Sequence, residues 1–318
     1  MAGATPRDLH IDQLLTNVSL MYRNQTYIAD QIFPTVPVVK QSNKLVKYDQ
    51  SHWFRDDAKL RAPGTKSQGG GWTVDTSALY FCDRFSYRHE IYDEERDNAD
   101  QPFNLDVEAT EFVTDKMQIR REVALATDFF TTGVWGSDKV GATDFTKWSD
   151  YANSSPLQDL FGWKDLVEGQ IGREPNKLVL GKQVWTQLKW HPDLIDLIKY
   201  TQKGQMSVDL FAATVEFQNV MVGRAISTAS PEGTAEGSVT YTRVWGKNAL
   251  MVYTPDRPSL MTPSAGYTFI WQRVPSAQQY IVRYRDMERE ADIVEGNTYF
   301  DQKATGTTAG LFASAAVA

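Results

Sequence analysis

KLVKYDQSHWFRDDAKLRAPGTKSQGGGWTVDTSALYFCDRFSYRHEI, residues 44–91, is the stretch on which the fold turns. Lys44 to Tyr48 and Thr73 to Ile91 read as strands, the second rich in Thr, Val, Tyr and Phe. Between them Ala62-Pro63-Gly64 and Gly69-Gly70-Gly71 signal a bend, so residues 45–91 read as one long two-stranded hairpin. Arms of about 15 residues would reach roughly 50 Å at the usual strand rise. A lone two-stranded hairpin is marginal in water. The outer half, residues 49–72, has few apolar groups beyond Trp53, Phe54, Leu60 and Trp72. Its support is expected from outside the chain.

Upstream, residues 1–44 read as an arm. Leu14, Leu15, Val18 and Met21 form a short amphipathic patch, and Ile32-Phe33-Pro34-Thr35-Val36-Pro37-Val38 follows. Two prolines in four residues favour extended backbone with few ladder hydrogen bonds. An isolated arm cannot bury Ile32, Phe33, Val36 and Val38, so these four need another surface.

Downstream, residues 92–150 hold the clearest helix, 104–130. Leu105, Ala109, Phe112, Ile119, Val123, Ala126 and Phe130 recur at helical spacing, and Glu111, Asp115, Arg121 and Glu122 mark the expected wet face. Asn104 suits an N-cap, Asp106 and Glu108 suit the positive end of the dipole, and Gly133 and Gly136 stop the helix. Residues 151–262 alternate helix and strand as an α/β unit, with a small polar tip at Ser227–Ser238. Residues 263–318 return to strands, including Tyr267–Gln272, Gln279–Arg285 and Ile293-Val294, then an Ala, Gly and Thr-rich tail. The class is α+β.

The 33 Lys and Arg against 40 Asp and Glu leave a net charge of −7, which argues against a dedicated nucleic-acid binder. A single cysteine, Cys82, forbids an intrachain disulfide and any Cys-rich zinc site. There is no apolar run long enough for a signal peptide or a membrane span, so the reading is a soluble, cytoplasmic chain without a membrane partner. The four histidines, His10, His52, His89 and His191, lack metal-pair spacing, and neither H-E-x-x-H nor G-x-S-x-G occurs. Gly69-Gly70-Gly71 lacks the context of a phosphate loop, and the acidic run at Asp93–Asp100 lacks that of an EF-hand. No catalytic residue, cofactor site or metal site is assigned, and the chain is not read as an enzyme.

The order of parts is more informative than any motif. An extended arm, a long charged hairpin, a spine-length helix, an α/β lobe and terminal strands together resemble the Hong Kong 97-type major capsid proteins of tailed bacteriophages. Ile28–Val38, Asn176–Gly181, His191–Ile195 and Glu290–Gly296 carry the likeness by their order and spacing. The resemblance implies an N-arm (1–44), an E-loop (45–91), a peripheral domain with a spine helix (92–150), an axial domain (151–262) and a return to the peripheral domain (263–318). It implies homopentamers and homohexamers that close an icosahedral head around double-stranded DNA, in a virion capsid assembled in the host bacterial cytoplasm. A separate scaffolding protein and a portal are expected partners, and a decoration protein is left open. Ile32, Phe33, Val36 and Val38 would clasp a neighbour. Arg55, Lys59, Arg61 and Lys66 would face Arg283, Arg285, Glu288 and Glu290 of neighbouring subunits, and Ser227–Ser238 would approach the capsomer centre. Within the fold the alternative is an encapsulin-like compartment shell. From another class it is a monomeric binding module or hydrolase with the hairpin as a lid.

Overall fold

A computed structural model describes residues 27–98, 104–198, 206–259, 262–273 and 278–318; the patch at Leu14, Leu15, Val18 and Met21 lies outside them. A one-turn helix α1 (Ala29–Ile32) and strand β1 (Thr35–Val38) lead into β2 (Ser42–Lys44) and β3 (Lys47–Tyr48). The chain returns through β4 (Val74–Asp75) and β5 (Leu79–Phe81), then β6 (Asp83–Tyr92), α2 (Asp93–Asn98) and the long α3 (Leu105–Phe129). The middle runs β7 (Ser137–Val140), α4 (Pro156–Ile171), β8 (Lys177–Gly181), α5 (Lys182–Leu188), α6 (Pro192–Ile198), α7 (Val208–Thr214) and β9 (Asn219–Gly223). It continues with β10 (Ile226–Thr228), β11 (Tyr241–Arg243) and β12 (Ala249–Val252). The last strands are β13 (Gly266–Trp271), β14 (Gln279–Asp286), β15 (Ala291–Ala304) and β16 (Gly310–Ser314).

The side chain of Asn104 accepts from the Val107 amide at 3.3 Å, which fixes the start of α3. Twenty-five residues at 1.5 Å each give a rod of about 37 Å. Its buried stripe is Ala109, Val113, Met117, Leu125, Ala126 and Phe129, with Arg121 and Glu122 inside it. That differs from the sequence reading, which put Phe112 inside and Arg121 and Glu122 in water. The stripe is set by what crosses it. At Gly296 of β15 a Cβ would lie 2.4 Å from Val113, so only glycine lets the sheet approach this closely. Phe112 is left at the edge, 42% exposed, with its ring against Tyr87 and His89.

Two five-stranded sheets carry most of the ladder. In the first, β15 is the hub: β14 and β13 pair along one side in succession, β6 pairs antiparallel over ten residues, and β1 runs parallel to β13. The second has the order β7-β16-β12-β8-β9. Three sequence expectations change here. Ile293-Val294 is part of a 14-residue strand. The supposed tail contains β16, which sits between β7 and β12 with Leu311, Phe312 and Ala313 buried. The second sheet therefore draws strands from outside residues 151–262. A strand covered on both faces needs no alternating pattern, so its small-residue composition hid it.

The hairpin is real but short-laddered. Its pairing runs from Ser42 opposite Phe81 to Tyr48 opposite Val74, and stacking of Trp53 on Trp72, 6.1 Å between centroids, ends the ordered contact. Residues 54–73 form no strand. Thr73–Ile91 is thus three strands rather than one, and the chain changes sheets at Cys82, which is fully buried. Strand propensity runs unbroken across this junction, so a reading by composition cannot see it.

Candidate assembly surface

The arm finds the surface it needs in its own chain. At the amino end of α1, the Ile28 and Ala29 amides donate to Glu122 Oε1, the latter at 2.7 Å, and the Trp245 indole donates to Oε2 at 2.5 Å. At the other end, Lys177 Nζ donates to the carbonyls of Gln31 (2.6 Å) and Ile32 (3.0 Å). A carboxylate at the amino end and an ammonium at the carboxyl end are what the backbone dipoles of a helical turn favour. Burial pushes the Glu122 carboxyl up to about 7 against its three donors, and burial lowers Lys177 to about 8. Arg121 adds an ion pair to Asp30 at 2.7 Å, and Tyr27 donates to Asp115 at 2.7 Å. Ile32 and Phe33 are fully buried, Phe33 edge-on to Phe129 at 5.2 Å. Val36 and Val38 are half-buried against the first sheet. Ile32 and Phe33 are therefore not available to clasp a neighbour. The sequence signal that was missed is Glu122, a carboxylate inside a helical apolar stripe.

Arg283 and Arg285 are also engaged within the chain. Arg96, Arg283 and Arg285 interleave with Asp93, Asp106 and Asp292, with Arg96 bidentate on Asp106 at 3.1 Å and Arg283 on Asp292 at 3.0 Å. Arg285 binds both oxygens of Asp93 and holds that carboxyl below its ordinary range. The cluster joins β14, β15, α2 and the first turn of α3. Glu288 and Glu290 lie at the exposed β14–β15 turn, and among the described residues their carboxylates make no ion pair. Arg55, Lys59, Arg61 and Lys66 are exposed on the hairpin tip and likewise pair with no described acid, although Arg61 Nε donates to the Thr65 carbonyl at 2.5 Å. Leu60, between them, is fully exposed. Of the eight charged positions expected at contacts, the structure ties up two and leaves six facing outward.

One grouping has the outline of a nucleophilic triad. Ser154 Oγ lies 3.0 Å from His191 Nε2, and Asp193 is 3.8 Å from Nδ1. Its direction is wrong for a base, however. Nδ1 accepts from the Asp193 amide, which leaves the ring proton on Nε2 facing Ser154, while Ser154 donates to the Asp150 carbonyl at 2.6 Å. His191 is fully buried, and burial lowers its pKa, so the neutral ring ties the segment leading into α4 to the one leading into α6. Burial also pushes the Cys82 thiol up to about 12, far from thiolate chemistry at neutral pH. Among the described residues there is no cluster of three metal-ligating side chains.

Residues 122–264 match the family described as phage major capsid protein E. The major capsid protein of Burkholderia phage BcepMu is 27% identical over 316 residues, covering 96% of each chain. A phage-related protein from Bordetella bronchiseptica RB50 superposes with a TM-score of 0.71 at 23% identity, covering 97% of this chain and 98% of that one. The capsid of cyanophage P-SCSP1u superposes with a TM-score of 0.58 at 11% identity, covering 92% and 88%. With the arm, the hairpin, the spine helix and the two sheets in this order, the chain has the fold of the phage capsid subunits and is similar in sequence to phage major capsid proteins.

Proposed function

We propose that this chain assembles as pentamers and hexamers into the icosahedral head that encloses a tailed phage's double-stranded DNA. The observation that carries this is the hairpin tip, residues 54–73, which exposes Leu60 and four cations that form no ion pair with a described acid. Such a segment gains stability only by lying on another copy, and many such contacts add around a closed shell. In this reading the hairpin is the E-loop, α3 with the first sheet is the peripheral domain, and the second sheet with α4–α7 is the axial domain. Arg55, Lys59, Arg61 and Lys66 then meet carboxylates of neighbours, with Glu288 and Glu290 as acids free to receive them. A separate scaffolding protein and a portal serve assembly in the host cytoplasm, and the subunit needs no cofactor. A compartment shell is not favoured, because the full-length sequence relative is a phage major capsid protein.

The test is particle mass by light scattering with negative-stain images of the same fractions, with and without the neighbouring phage genes. Capsomers or megadalton shells are expected. A monomer under every condition overturns the reading. Arg61→Glu should reduce particle yield, and unchanged yield would remove the hairpin cations from the contact.

A further inference from the structure

A second group of cations sits at the carboxyl ends of two parallel strands, β8 and β9. Gly181 of β8 and Gly223 of β9 are register partners, so Lys182 and Arg224 leave the sheet side by side. The β10–β11 hairpin brings Arg243 back opposite Ile226, and the Val244 amide donates to the Ala225 carbonyl at 3.1 Å. Lys189, seven residues after Lys182, lies on the same side of α5. Arg224 and Arg243 are exposed and the two lysines half-exposed. None of the four makes an ion pair with a described acid. Lys182 feels Arg224, Arg243 and Lys189 as repulsive neighbours, which adds to the burial that lowers its pKa. Four mutually repelling cations thus stand together in a chain of net charge −7, with no described carboxylate of the same copy in an ion pair with them.

The same lobe presents the complementary feature. Asp165 and Glu168, three residues apart on the outer face of α4, are exposed and pair with no described cation. We infer that the cluster of Lys182, Lys189, Arg224 and Arg243 docks the Asp165–Glu168 face of α4 from a second copy of this chain. This rests on the shell-forming reading and names a contact for it. A basic patch that meets a different, acidic patch is a head-to-tail contact, which closes into rings when copies repeat it. Trp190, exposed beside Lys189 with its ring 5.8 Å from Nζ, supplies an apolar centre for the contact. Carboxylates of a second copy are preferred to phosphates of DNA because an acid-rich subunit repels a polyanion and offers carboxylates at every neighbour.

The experiment compares wild type with R224E/R243E, D165K/E168K and the two combined, by sedimentation and light scattering of folded protein. Circular dichroism checks the fold, and R224Q/R243Q stands in if the reversal fails to fold. Each reversal alone should lower the assembled fraction by about tenfold or more, since like charges then face each other, and the combination should restore it. Wild-type assembly in either reversal, or no rescue by the combination, overturns the contact. Particles that form normally but lose bound DNA overturn it in favour of a phosphate ligand. A wild type that never assembles removes the shell reading itself, which separates the two failures.

Discussion

The arm and the hairpin tip pose the same problem in sequence and solve it differently in the structure. Both are extended segments with apolar side chains and no core of their own. Residues 27–38 are fastened at the two ends of α1 by the buried Glu122 carboxyl and the half-buried Lys177 amine, and insert Phe33 into the main core. Residues 54–73 bury no side chain: Trp72 stacks on Trp53 and Phe54 lies beside Gly172, and both rings stay more than half exposed. An unsupported segment is therefore not by itself a sign of a partner. It becomes one only when its own chain has no buried polar group or cavity waiting for it.

The comparison breaks most easily at Phe33. Phe33→Ala removes a fully buried ring from between Phe129 and Trp135, and should lower the stability of the unassembled chain by about 3–5 kcal/mol. Urea denaturation of the monomer measures it. A loss below about 1 kcal/mol would mean the arm is not anchored as described.

Glu122 sharpens the same side. Its folded pKa, about 7, is raised above the ordinary 4.5, so the folded state holds a proton that the unfolded state has released between those values. The stability this group contributes is full below about pH 4.5 and is lost as pH rises through 7, by about 3 kcal/mol in all. His191 runs oppositely, because its lowered pKa makes the folded state bind fewer protons and its contribution rises with pH. The quantity to measure is thus the difference between wild type and Glu122→Gln from pH 5 to 8. Wild type should lose stability relative to the variant across that window. A constant difference would show that the carboxyl keeps its charge throughout.

The legibility of these features follows how local each cause is. The limits of α3 were readable to within a residue, because the N-cap and the periodicity lie in the helix itself. The membership of its buried stripe was not, because Glu122 is bound by Ile28, Ala29 and Trp245, more than 90 residues away on either side. The arm's need for a surface was readable, but its location depended on Lys177 and Glu122. β16 was obscured by small residues, and the change of sheet at Cys82 by continuous strand propensity. At the assembly surface, charge type was readable and availability was not: Arg283 and Arg285 look like contact residues until Asp292, Asp106 and Asp93 are placed beside them.

Trp53→Ala tests the middle of the hairpin. Both rings of the Trp53–Trp72 pair are more than half exposed, so the monomer should lose no more than about 1 kcal/mol. Particle yield should fall further than that loss predicts, because an unstacked stem presents the tip less well. Parallel declines in stability and yield would instead make the stack a purely internal feature.

The smallest effect on the monomer is the most informative. Leu60 buries nothing in its own chain, so Leu60→Ser should change monomer stability by no more than about 0.5 kcal/mol. In the assembled particle the same side chain lies against a neighbour in the proposed reading, and burying a leucine is worth about 1.5–3 kcal/mol per copy. Particle dissociation in urea should therefore shift to lower denaturant while the monomer transition stays in place. Coincident curves for wild type and variant particles would place Leu60 in water even in the shell. The tip would then be held by its cations alone, and Arg61→Glu would be left to account for the whole contact.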